Sequence, residues 1–97
     1  MACYVIIELT ARPGEGAATF EALRAAAPQT RNRDGCKSFE LTVNRNDPEN
    51  MLVIMKWASL RQYETDRAWG IVRGERQPLD DLMVGKSSIR FLEIADV

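Results

Sequence analysis

At 97 residues, with 45% hydrophobic and 28% charged residues, the chain has the make-up of a single globular domain over 1–97, not of a disordered segment. A net charge of -1 offers no basic face to a phosphate backbone, so no nucleic-acid partner is expected, and Arg31, Arg33, Arg73 and Arg76 read as solvated surface charges. There is no histidine, and the two cysteines, Cys3 and Cys36, form no Cys-x-x-Cys pair, so no metal site is expected and both thiols read as reduced and half-buried.

The first predicted element is a strand, "CYVIIELTA" (Cys3 to Ala11), rich in β-branched and aromatic residues. It is too short for a secretion signal and lacks a basic leader. No run approaches the ~20 apolar residues that span a bilayer, so the expectation is a cytoplasmic chain without membrane contact. Pro13 and Gly14 end the strand. From Glu15 to about Arg31, Phe20, Leu23 and Ala27 recur at helical spacing among alanines. Pro28 predicts a kink or an early stop in that helix.

Asp34 and Gly35 supply a turn. In "CKSFELTVN", Phe39, Leu41 and Val43 alternate with Ser38, Glu40 and Thr42, the pattern of a half-buried strand. "RNDPEN" (Arg45 to Asn50) reads as a polar turn and "MLVIMKW" (Met51 to Trp57) as the second arm of an antiparallel hairpin. Ser59 and Gln62 form a capping box that opens a second helix directly after Trp57. That helix is expected to run to about Arg73, with Leu60, Tyr63 and Arg67 on one line and Trp69 beside them. "RQPLDDLMVG" predicts a further helical turn with Leu79, Leu82 and Met83 inward and Gly85 as its stop. "KSSIRFLEIA" (Lys86 to Ala95) is the last strand.

The order β-α-β-β-α-β is the split β-α-β plan: an α+β, ferredoxin-like domain with a four-stranded antiparallel sheet and helices on one face. The uncovered face of such a sheet should be polar at every second position. Here Tyr4 and Ile6 share one face of the first strand while Val5, Ile7 and Leu9 share the other. In the third strand Leu52 and Ile54 oppose Met51, Val53, Met55 and Trp57. Two apolar faces predict that a second copy covers the bare one, giving a two-fold homodimer with its sheets face to face.

Four stretches together resemble the antibiotic biosynthesis monooxygenase (ABM) family over almost the whole chain. They are "ELTARPGEG", "RNRDGCKSFEL", "MLVIMKWASLRQYETD" and "RFLEI". The third is close to the family's W-x-S-x-x-x-Y pattern, read here as Trp57, Ser59 and Tyr63. The resemblance implies a dimeric α/β barrel with a cavity between the sheet and the helices of each subunit. It also implies a monooxygenase that needs no cofactor and acts on a small aromatic or quinol-like molecule. By the same resemblance Trp57 and Tyr63 line the cavity, Trp57 stacking on the substrate and Tyr63 bonding or shuttling a proton to a phenolic oxygen.

Haem-degrading members use a helix histidine and a first-strand asparagine. This chain has no histidine and places Ile7 near the asparagine position, so haem degradation is not expected. Near the second-helix histidine of other relatives stand Asp66 and Trp69. The candidate acid/base residues are therefore Tyr63, Asp66 and Glu8, with Glu40 a further carboxylate. The candidate substrate contacts are Trp57, Trp69 and Ile7. Glu8 draws notice as a carboxylate in an apolar strand.

Plainer readings stand beside these. Trp57 is also what a core tryptophan looks like, and Tyr63 fits an amphipathic helix with its hydroxyl at the surface. Glu8 fits a rim or edge-strand charge, Trp69 a packing or dimer contact, and Arg90 a salt-bridge partner across the sheet. The rival for the whole chain is a non-catalytic dimeric module that binds a small ligand or another protein. RNA binding is disfavoured because "MLVIMKW" lacks the aromatic and basic run such sheets use.

Overall fold

The computed structural model describes residues 2–72, 83–85 and 87–95, and for 68–72 the backbone alone. Its elements are β1 (Cys3–Thr10), α1 (Gly16–Arg31), β2 (Cys36–Asn44), β3 (Asp47–Trp57), α2 (Leu60–Val72) and β4 (Ser88–Glu93). The strands form one antiparallel sheet in the order β2-β3-β1-β4, the expected ferredoxin-like α+β arrangement.

Alternation decides which side of the sheet is wet. Successive strand side chains point to opposite faces. Along β3, Met51, Val53, Met55 and Trp57 are buried under the helices, and Val5, Leu9 and Phe39 join them from β1 and β2. Helix α1 meets this surface with Thr19, Leu23 and Ala27, each four residues from the next, and Phe20 packs at its margin. The opposite face carries Tyr4, Ile6, Leu52, Ile54 and Leu92. The three in the middle are half-buried, while Tyr4 is 36% and Leu92 45% exposed.

Several boundaries differ from the sequence expectation. The hairpin connection is shorter than "RNDPEN": β3 starts at Asp47, and Asn44 pairs with it after a register shift at Val43/Asn44. Side chains stabilise this polar end, the Asn46 N–H donating to Asn44 Oδ1 (2.9 Å) and the Glu49 N–H to Asp47 Oδ1 (3.0 Å). An apolar pattern cannot reveal such an extension. Pro28 does not end α1 early; the helix runs on to Arg31. Pro28 and Arg24 are both exposed, so water can serve the Arg24 carbonyl that Pro28 cannot reach with an N–H. The last strand is narrower than Lys86 to Ala95. The expected helical turn falls largely outside the described residues, as do Arg73, Arg76, Leu79 and Leu82. Of that stretch Met83 is buried and pairs with Ala11 across an isolated bridge.

The residue before helix α1, Glu15, makes no side-chain capping bond. The loop that leads into the helix is instead held by Glu49 of β3, whose Oε1 accepts from the Gly14 N–H at 2.9 Å. Room for this exists because residue 16 has no side chain: a Cβ there would sit 2.8 Å from the Pro48 carbonyl oxygen.

Helix α2 starts with the expected box. The Gln62 N–H donates to Ser59 Oγ at 3.2 Å, and the Ser59 hydroxyl donates to Gln62 Oε1 at 3.0 Å. The other end of the Gln62 amide donates to Asp34 Oδ2 (3.1 Å), so the cap also ties α2 to the turn before β2. In that turn Gly35 takes φ +89°. The helix therefore leaves the sheet at a fixed angle and presents Tyr63 to its buried face.

Candidate active site

Between the inner face of the sheet and the two helices lies a cavity of about 190 Å³. Ile7, Leu9, Phe39, Val53 and Met55 make its floor. Leu23, Ala26 and Thr30 of α1 form one wall, and Tyr63, Asp66 and Arg67 of α2 the other; Met83 and Ser87 close the remaining side. Ala26 and Arg67 are exposed, which puts the mouth between the two helices. The space is apolar except for the hydroxyls of Thr30, Tyr63 and Ser87 and the charges of Asp66 and Arg67.

Tyr63 is 4% exposed and stands edge-on between two rings. The Trp57 centroid lies 5.7 Å away at 68° and that of Phe91 5.9 Å away at 61°. Trp57 itself is fully buried and does not line the cavity; it backs Tyr63 from behind. Asp66 meets Arg33 of the α1–β2 turn, with Oδ1 2.9 Å from Nε. The approach is close but poorly aligned for a hydrogen bond, and Nε makes none with any described residue, so the contact is an ion pair.

The structure thus brings Tyr63, Asp66 and Ile7 to one cavity and sets the other candidates apart. Glu8 sits on the opposite face of the sheet. Its strand is central, between β3 and β4, so the edge-strand reading does not apply. Its carboxylate accepts from Asn50 Nδ2 at 3.1 Å and lies 3.8 Å from Arg90, the cross-sheet partnership expected of that arginine. Glu40 is exposed on the same outer side. The backbone of Trp69 belongs to α2, and its side chain lies outside the described residues.

Two arginines taken as solvated charges have definite work. Arg33 holds Asp66. Arg31 donates to the Phe39 carbonyl at 3.1 Å and lies 5.5 Å from the centre of the Phe39 ring. Sequence signals for both were faint, because each partner is remote on a neighbouring element. Arg67 was visible as the residue one turn beyond Tyr63 on the same line, but nothing in the pattern marked that line as a cavity wall.

Cys3 is buried and Cys36 half-buried, and both are free thiols. Burial pushes the Cys36 thiol up, and the negative charge of Asp66 adds to this; a backbone hydrogen bond at Ser38 and the charge of Arg31 act the other way. Because the thiolate is the nucleophile, Cys36 should alkylate slowly at mildly alkaline pH. Asp66→Asn removes one of the raising causes and leaves Arg33 without its counter-charge. Iodoacetamide labelling followed by mass spectrometry should then show faster modification of Cys36, with the pH midpoint moved down.

Among the described residues no cluster of three metal-ligating side chains occurs, and no helix is long and apolar enough to cross a membrane.

Residues 2–67 match the family model described as antibiotic biosynthesis monooxygenase. Among solved structures the chain is similar to Rv0793 from Mycobacterium tuberculosis, with a TM-score of 0.87 and 21% identity, covering 100% of this chain and 98% of that one. It is also similar to a Deinococcus radiodurans protein assigned as an antibiotic biosynthesis monooxygenase, with a TM-score of 0.86 and 23% identity over 98% and 94% of the two chains. SnoaB, a cofactor-independent oxygenase from Streptomyces nogalater, aligns with a TM-score of 0.84 and 14% identity over 99% and 95%. At these identities the structural likeness establishes the fold. No curated protein matches the sequence.

Proposed function

The chain belongs to the antibiotic biosynthesis monooxygenase family, and from that we infer that it is a cofactor-independent monooxygenase acting on a small aromatic or quinol-like molecule. The observation that carries this is the cavity, an apolar floor with Tyr63 and Asp66 side by side on one wall. The description of SnoaB as a cofactor-independent oxygenase supports the same chemistry on this fold.

The ring of the substrate lies on the Ile7, Val53 and Met55 floor, and Phe39 offers an aromatic contact. Asp66 accepts the phenolic proton, and the Tyr63 hydroxyl bonds the resulting phenolate oxygen. An electron-rich phenolate is the reductant for oxygen. Overall, a quinol and O2 give a hydroxyquinone and water. One oxygen atom enters a ring C–H, the other leaves as water, and both electrons that reaction requires come from oxidising quinol to quinone.

Oxygen uptake measured with a panel of one-ring hydroquinones, against the uncatalysed rate, tests the reading. Uptake no faster than the blank for every member would leave the second reading, a ligand-binding module without catalysis. The absence of histidine favours that alternative.

The bare apolar face supports a homodimer in which two sheets pack against each other. Ile54 lies at its centre, paired in register with Ile6 on one side and Glu40 on the other. Ile54→Asp is expected to give a monomer by light scattering after gel filtration, where the wild type runs at twice the chain mass. A wild type of monomer mass would refute the dimer.

A further inference from the structure

Arg67 stands apart from the other arginines near the site. Arg33 faces Asp66, Arg31 is engaged by Phe39, Arg24 pairs with Glu21, and Arg90 approaches Glu8. Arg67 lines the cavity at its mouth and is exposed, and it makes no ion pair with any described residue. Among the described residues, the charged groups that line the cavity are Asp66 and Arg67. Arg33 faces Asp66 from behind, so within this described set the charge of Arg67 is the one left for a ligand.

Size is the second constraint. A dry cavity of about 150 Å³ admits a benzene ring, so 190 Å³ takes one ring with small substituents. A fused three-ring skeleton exceeds it. Arg67 lies four residues, one helical turn, from Tyr63, so a ring that reaches the tyrosine hydroxyl leaves a substituent within reach of the guanidinium.

We propose that the cavity selects a single-ring aromatic acid, with the ring on the sheet floor and an anionic substituent, such as a carboxylate, held at the mouth by Arg67. This rests on the reading of the cavity as the substrate site and narrows the class of molecule it takes. A guanidinium–carboxylate contact at a partly exposed position is worth about tenfold in affinity.

The test is binding without turnover, so that it stays separate from the oxygenase reading. Under anaerobic conditions, intrinsic fluorescence or calorimetry would follow titration with 2,5-dihydroxybenzoate, with hydroquinone, and with a three-ring anthracene carboxylic acid. The wild type should bind 2,5-dihydroxybenzoate about tenfold more tightly than hydroquinone and the three-ring acid weakest. Arg67→Gln, a change at an exposed position, should abolish that preference and leave the hydroquinone affinity unaltered. Equal affinity for the two one-ring ligands, a preference that survives in Arg67→Gln, tightest binding of the three-ring acid, or no binding at all would each overturn the proposal. The expected binding pattern without oxygen uptake would sustain it and count against the oxygenase reading alone.

Discussion

Trp57→Ala is expected to lower the free energy of unfolding by about 3–5 kcal/mol, the range for truncating a buried tryptophan. Domains of this kind have only about 5–15 kcal/mol in total, so the variant should melt far below the wild type or fail to accumulate. The reason is position. Trp57 is the last residue of β3, opposite Cys3 of β1 and Cys36 of β2, and its ring is fully buried against Tyr63 of α2. Removing it unties three strands and a helix at once. Trp57→Phe keeps an aromatic body there and removes an indole N–H that has no hydrogen-bond partner among the described residues, so it should cost distinctly less. Chemical denaturation followed by far-UV circular dichroism measures both. A Trp57→Ala protein as stable as the wild type would mean that the indole is not a core element.

Tyr63→Phe and Asp66→Asn should each reduce the rate of oxygen consumption by about a hundredfold, the lower end of what a positioned acid or base contributes. Both act on the chemical step, so the loss should appear in kcat and kcat/KM together, with KM little changed. Glu8→Gln is the informative contrast. Its carboxylate is on the far side of the sheet, bonded to Asn50 and near Arg90, and its replacement should leave the rate near that of the wild type. Tyr63→Phe retains the ring packed between Trp57 and Phe91 but removes a buried hydroxyl, so its activity is read beside a thermal melt. Asp66→Asn strands Arg33 and needs a thermal melt as a control. Full activity in both Tyr63→Phe and Asp66→Asn would remove the proposed roles.

How much was legible beforehand depended on the distance over which each feature is encoded. The strands, the faces of β1 and β3 and the box at Ser59 and Gln62 follow from periods of two and three residues, which local sequence carries in full. Expectations failed where a partner was remote. The bond that holds the loop before α1 was invisible because its acceptor, Glu49, lies on another element. Arg33 read as a solvated charge because its partner, Asp66, comes from the second helix. Glu8 read as an edge charge because strand order had not yet been settled, and the sheet puts β1 inside.

Alternation and helical spacing by themselves determined the β-α-β-β-α-β order, the two apolar faces and the placing of Tyr63 at the start of a capped helix on the heels of Trp57. Periodicity assigns a residue to a face but does not say which buried residue borders a cavity, and that is what separates Trp57 from Tyr63. Only the packed structure decided that the tryptophan is core and the tyrosine is cavity wall. The crossing of α2 over the sheet brings Tyr63 up against the Trp57 ring and leaves a space of about 190 Å³ on its other side. The size of that space, and the charge of Arg67 at its mouth, depend on where the two helices come to rest on the sheet, which no single segment specifies.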